Sequence, residues 1–166
     1  GAMSQAVKYR AFFVTLMMAT GFHPIAAQST CVGSAETCTT GQSSTNQQTN
    51  VRGKALTACS KAPLTGWYRD GFCKTDENDR GRHVVCAQVT KEFLEFSKSR
   101  GNDLMTAAPR YRFPGLKPGD SWCLCAVRWK EALDAKKAPP VVLSATNKNA
   151  LQYVSMEELQ SAARRD

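Results

Sequence analysis

Residues 83–101 read HVVCAQVTKEFLEFSKSRG, and this stretch decides the fold class. His83 to Val89 is an apolar run rich in β-branched side chains, which suits a central strand. Thr90 then stands where a helix N-cap belongs. Behind it Phe93, Phe96 and Ser97 recur on a 3.6-residue period beside Leu94, and Gly101 occupies the place of a C′ glycine. The stretch therefore predicts a buried strand feeding an amphipathic helix of about three turns.

Downstream, residues 101–120 (GNDLMTAAPRYRFPGLKPGD) hold three glycines and three prolines. They predict a long structured loop stiffened by Tyr111 and Phe113. Asp120 reads as the next N-cap. Trp122, Cys125, Ala126, Trp129, Ala132 and Leu133 follow at spacings of three and four, which predicts one helix from Ser121 to about Lys137. Ala138-Pro139-Pro140 stops it. Val141-Val142-Leu143 then predicts a short buried strand, and Thr146 a cap for a brief turn through Leu151. Ser155 with Glu158 forms a capping-box signature that opens a last helix to about Arg164.

Upstream, Val51 to Leu56 suits a short strand or extended arm. Turn signals at Pro63–Gly66 and Arg69–Gly71 flank Trp67 and Tyr68. Helices and strands intermix without a βαβ repeat. The fold class expected is α+β, a small two-layer domain with short strands and three main helices over residues 50–166.

The N-terminal third reads differently. Gly1-Ala2 resembles a protease scar ahead of Met3. Lys8 and Arg10 precede a twelve-residue uncharged run, Ala11 to Phe22, and Ile25-Ala26-Ala27 offers a small-residue cleavage site. That order is the one of a secretory signal peptide over residues 1–27. The run is too short to span a bilayer, which takes roughly 20 residues, so no stable membrane anchor is expected. The localisation expected is secreted or periplasmic, with an organellar presequence as the alternative. Residues 28–49, dominated by Ser, Thr, Gln, Asn and Gly, read as a polar linker.

The chain is long enough for one domain with a real core, at 166 residues. Its 22 Lys and Arg against 14 Asp and Glu give a formal charge of +8. These basic residues are dispersed and no nucleic-acid motif accompanies them, so specific nucleic-acid binding is not expected. Phosphate-loop, dinucleotide-fold and serine-hydrolase spacings are absent from the sequence.

From about Asn50 to Ala162 the chain resembles the uncharacterised bacterial and plant family labelled domain of unknown function 2237. The stretches that carry the resemblance are Leu56-Thr57-Ala58-Cys59, Thr65–Gly71, Gly81-Arg82-His83 with Cys86-Ala87, and Phe93–Ser97. Gly101–Leu104, Phe113–Asp120, Trp122–Cys125 and Ala138–Leu143 with Ala145-Thr146 follow in order. The resemblance implies a small α+β protein and brings no activity with it. Members often carry paired cysteines where this chain has Phe72-Cys73, and a histidine where it has Asn147.

Seven cysteines are an odd number, so at least one lacks an intrachain disulfide partner. In an exported chain Cys59, Cys73, Cys86 and Cys123 are candidates for pairing, with Cys31 and Cys38 closing a separate linker loop. Cys123 falls at N3 of the helix expected after Asp120, where a helix N-terminus favours a thiolate. Together with His83, the one histidine of the domain, it forms the candidate catalytic pair. Cys125, about 200° away on such a helix, reads as a small core hydrophobe. Cys73, His83, Cys86 and Cys123 could also supply soft ligands for zinc, although His83-x-x-Cys86 is an isolated spacing. No other cofactor is implied.

Arg69, Asp70, Arg82, Asn102 and Asp103 sit in turn-rich segments and form a candidate polar ligand site. The functional expectation is an exported, cysteine-containing domain that binds a small polar ligand or a protein partner. Two alternatives stand beside it: a thiol-dependent or hydrolytic enzyme using Cys123 and His83, and a disulfide-stapled structural protein. Export predicts that sequencing the N-terminus of the native mature protein will return Gln28. A mature chain that starts at Ser4, or one that keeps residues 11–22, contradicts that expectation.

Overall fold

The computed structural model of the chain describes residues 47–164. The expected signal peptide, most of the expected linker, and Cys31 and Cys38 lie outside the described residues. Strand β1 (His83–Gln88) pairs antiparallel with β2 (Ser121–Cys125) in a two-stranded sheet. Helices α1 (Lys91–Ser99), α2 (Ala126–Asp134) and α3 (Met156–Ser161) complete a small α+β domain. Short 3-10 turns at Pro109–Tyr111, Leu143–Ala145 and Lys148–Gln152 join them.

β1 and α1 form as their residues dictate. Val84, Val85, Cys86 and Ala87 are all wholly buried, as expected of a strand covered on both faces. Thr90 accepts a hydrogen bond from the Phe93 amide at 3.1 Å and caps α1. Gly101 takes a φ of 80° just past its end. At α3 the capping box of Ser155 and Glu158 is complete in both directions.

The expectation of one helix from Ser121 to about Lys137 is corrected. Ser121–Cys125 is strand, and the helix opens only at Ala126. Asp120 caps no helix: its carboxylate accepts the Lys117 amide at 2.8 Å, closing a turn. The reason is tertiary. Trp122 to Leu124 are buried on both faces of the strand, where an apolar run carries no periodicity that separates strand from helix. Ladder bonds to β1 decide it.

The sheet separates two apolar layers. Val85, Ala87, Trp122 and Leu124 face the main core, with Phe93, Trp129 and Leu159 from the three helices. Trp129 is fully buried, and its indole N–H donates to the Pro139 carbonyl at 3.1 Å. The other layer holds Cys73, Cys86, Cys123 and Ala145. Val141 runs beside β1, so the expected short strand reduces to two isolated bridges at Val141, to Ala87 and to Ala163, followed by a 3-10 turn. Gln48, expected in the linker, bonds Thr75 and Asn147 and so belongs to the domain.

Two disulfides, Cys59–Cys86 and Cys73–Cys123, bridge loop segments to the two strands. The sulfurs of Cys59, Cys73 and Cys86 lie within 4.8 Å of one another. The bridges are therefore neighbours in one buried cluster. They close loops of 27 and 50 residues, which corresponds to about 3.5 and about 4 kcal/mol of loop-closure entropy. In guanidinium unfolding, C59A/C86A and C73A/C123A are expected to lose roughly those amounts, the second slightly more. Losses below about 1 kcal/mol in both would remove the staple account.

Candidate functional site

The register of the sheet builds the site. From Gln88 to Val85 the pairing is regular: Gln88 with Ser121, Ala87 with Trp122, Cys86 with Cys123 and Val85 with Leu124. Continued, it would set Val84 opposite Cys125. A bulge at Val84 intervenes, and His83 becomes the partner of Cys125 instead. One inserted residue thus replaces a valine with an imidazole beside a thiol.

The loop before β1 holds that imidazole. Asp76 accepts the amides of Asn78 and Asp79 at 2.8 and 3.1 Å, which closes a tight turn. Arg82 follows in the left-handed region with a φ of 47°, anchored by its guanidinium on the Asp76 carbonyl. Asp79 is fully buried between them. One of its oxygens accepts the Thr75 hydroxyl at 3.0 Å and the His83 amide at 2.8 Å. The other meets His83 Nδ1 at 2.6 Å. A carboxylate accepts, so the proton on this side belongs to Nδ1 and Nε2 is left to face Cys125.

Gly81 makes room for the meeting. A Cβ on Gly81 would stand 2.6 Å from His83 Cε1, 3.2 Å from His83 Nε2 and 3.2 Å from Cys125 Sγ. Imidazole and sulfur therefore converge over one point that only glycine leaves open. Trp67 covers the imidazole in a parallel stack, with centroids 5.8 Å apart and planes 13° apart. Burial by itself would depress the His83 pKa. The Cys125 side chain, through hydrogen bonding and charge, and then Asp79 in the same two ways, overcome it and raise the value to about 9.

Cys125 is the one cysteine among the described residues outside a disulfide, and it is partly exposed. It is also the N-cap residue of α2, so its sulfur stands at the positive end of a helix. The Ala126 amide is engaged by the Arg82 carbonyl at 3.0 Å. Val127 and Arg128 carry the next first-turn amides, which have no acceptor within the helix. A cavity of about 410 Å³ opens on this group, walled by Trp67, Leu104, Tyr111, Phe113 and Trp122.

The comparison with protein families matches residues 49–163 to one described as "Uncharacterized protein conserved in bacteria (DUF2237)". The chain belongs to that family. Family membership names no activity, and the search of curated proteins finds no match.

The geometry corrects the catalytic pair expected from sequence. Cys123 is bonded to Cys73 and is not a free thiol; Cys125, expected as a core hydrophobe, holds that place beside His83. Of the expected zinc set, the three cysteines share one buried cluster, but not as free thiols. Cys73, Cys86 and Cys123 are in disulfides, and His83 is turned to Asp79. Of the expected ligand residues, Arg69, Asn102 and Asp103 line the same cavity as His83. Asp70 does not: it accepts the Phe72 amide and pairs with Lys74 at 2.9 Å. Arg82 holds its own loop. Asp79 escaped the sequence reading, although an aspartate four residues before the domain's lone histidine was the available signal.

His83 is expected to titrate with a midpoint near 9, read from its ring resonances by NMR. Both D79N and C125S should lower that midpoint. The folded-state value lies above the unfolded one of about 6.5. Protonation therefore stabilises the fold fully below pH 6.5, and that stabilisation is lost as pH rises to about 9. A wild-type midpoint at or below about 6.5 would contradict the arrangement.

Proposed function

We propose that the domain is a thiol-dependent enzyme in which Cys125 attacks an electrophilic acyl carbon of a small molecule held in the cavity. The observation that carries this reading is the meeting of the unbridged Cys125 with His83 in the cavity wall, the imidazole being held from behind by the buried Asp79. Nucleophile, base and orienting carboxylate stand in the order that covalent catalysis requires.

The chemistry follows from those positions. Cys125 transfers its proton to His83, and the thiolate–imidazolium pair is favoured by the Asp79 carboxylate behind the ring. Sulfur then bonds to the acyl carbon, while the imidazolium protonates the departing group. The first-turn amides of α2, which follow Cys125 directly and have no acceptor within the helix, are the candidate donors for the developing oxyanion. In the second half, His83 takes a proton from water, hydroxide adds to the thioester carbon, and the Cys125 thiolate leaves. The products are one acid and one leaving group, and the enzyme is regenerated.

Export belongs to the same proposal. Two disulfides in so small a domain support an oxidising compartment. Among the described residues no helix is long and apolar enough to cross a membrane.

The second reading is a non-catalytic ligand-binding domain, which the mainly apolar cavity favours. Acylation separates the two. With p-nitrophenyl acetate, the oxidised protein is expected to release a burst of one nitrophenolate per chain and to carry the acetyl group on the Cys125 peptide. C125A should show no burst, and H83N should slow it by about a hundredfold or more. Absence of a burst and of an acetylated Cys125 peptide in the wild type would leave the binding reading.

A further inference from the structure

Arg69 carries the one charge of the cavity wall that the protein leaves unanswered. Its backbone lies in the left-handed region, with a φ of 55°, in the turn that starts at Gly66. Its guanidinium stacks over Trp122 at 5.2 Å from the ring centre. Nη1 donates to the Gly66 carbonyl and Nη2 to the Tyr111 carbonyl at 3.1 Å. Nε is the only buried side-chain nitrogen or oxygen among the described residues with no hydrogen-bond partner. All of these contacts are to neutral groups.

The neighbouring charges sharpen the imbalance. Among the described residues Arg69 forms no ion pair, and neither do Arg110 and Arg112 on the same loop as Tyr111. Arg112 lies near enough to repel Arg69, which adds to the cost of burial in lowering its pKa. The other cavity arginine, Arg128, does meet a carboxylate, Glu131 at 3.1 Å, which it shares with Arg100 at 2.7 Å. The cavity's one acid, Asp103, is turned to other partners. It accepts the Met105 and Thr106 amides and the Thr106 hydroxyl, and it pairs with Lys98 at 3.3 Å. Those bonds, the Met105 amide foremost, hold its carboxyl down at about 2.

A half-buried guanidinium in an apolar cavity, with no carboxylate beside it, is a charge whose desolvation the fold does not offset. We propose that the ligand of the Cys125 cavity carries an anionic group, a carboxylate, and that Arg69 is the residue that selects for it. This rests on the cavity assigned above as the reaction site and adds the substrate class to it. The aromatic walls suit the apolar body of such a molecule. Arg69 and Cys125 both line the cavity, so one molecule can meet the cation and the sulfur together.

Two alkylating reagents that differ only in this charge test the idea at Cys125 itself. Iodoacetate carries a carboxylate where iodoacetamide carries a neutral amide. Both form a thioether with the Cys125 sulfur and expel iodide. In the oxidised protein at pH 7, iodoacetate is expected to label Cys125 about fivefold faster than iodoacetamide, with the preference shrinking as salt is added. R69M should abolish the preference and R69K should keep part of it. Acetate should slow iodoacetate labelling of the wild type, and acetamide should not. R69M removes two hydrogen bonds as well as the charge, so its thermal unfolding is recorded alongside. A variant that fails to fold leaves R69K and acetate competition to decide.

The outcomes are distinct. Labelling by both reagents with no preference for iodoacetate, or a preference unchanged in the Arg69 variants, overturns the anionic-ligand inference and leaves the thiol chemistry intact. A Cys125 inert to both reagents overturns the thiol reading itself. Protection of the wild type by phosphate and not by acetate would assign the anion site to phosphate esters, and so overturn the carboxylate.

Discussion

The structure depends on the register between β1 and β2. In the regular part of the ladder Cys86 faces Cys123, and each is tied by its own disulfide to a loop on the same side of the sheet. The Cys86 amide goes to the Thr146 hydroxyl and the Cys123 amide to the Thr65 hydroxyl, at 3.1 and 2.9 Å. Both are buried donors with side-chain acceptors, so loop 59–73 is bound to the sheet by sulfur and a hydrogen bond together, and segment 141–147 by hydrogen bonds. Sliding one strand by one residue would turn the cysteine layer into the main core and remove these partners. The fold therefore has little freedom in how its two strands meet.

That constraint acts directly on the site. With the register held from Gln88 to Val85, the single bulge at Val84 has one consequence at the strand end: it carries His83 opposite Cys125. Asp79 then performs two tasks with one carboxylate. Its bond to the His83 amide starts the strand, and its bond to Nδ1 fixes the ring. A side chain that bears on both the backbone and the imidazole couples folding of the loop to alignment of the site. The left-handed φ of Arg82 and the missing side chain of Gly81 are the local cost of bringing the ring so close to the sulfur.

Much of the fold was legible in the sequence because several elements announce themselves locally. β1 has a β-branched run, α1 a Thr cap and a terminal glycine, and α3 a capping box; each owes its form to contacts within a few residues. β2 does not. Trp122, Cys125, Ala126 and Trp129 can be fitted to a helical spacing, and Asp120 stands where a cap could be. What makes Ser121–Cys125 a strand is a partner more than thirty residues away. The error in the element became the error in the site. On a helix Cys123 and Cys125 diverge, whereas on a strand residues two apart share a side. The reading that favoured Cys123 was thus a geometric consequence of the wrong period. The polar loops fared better at Arg69, Asn102 and Asp103, whose segments converge on the cavity, than at Asp70 and Arg82, whose bonds are local to their own turns.

The cysteine pattern gains a further meaning from this arrangement. A reactive thiol in a chain with several other cysteines is exposed to mispairing, since a thiolate attacks any accessible disulfide sulfur. Here the four cysteines nearest in the fold are removed from competition in two steps. Each is bonded to a partner, and the cluster they form is almost wholly shielded from solvent at Cys73, Cys86 and Cys123. Cys125 lies past the end of the regular ladder, on the open side of the bulge, and faces an imidazole where the ladder would otherwise continue. Among the described residues, oxidation thus leaves one thiol over, and the register determines that it is the one beside His83.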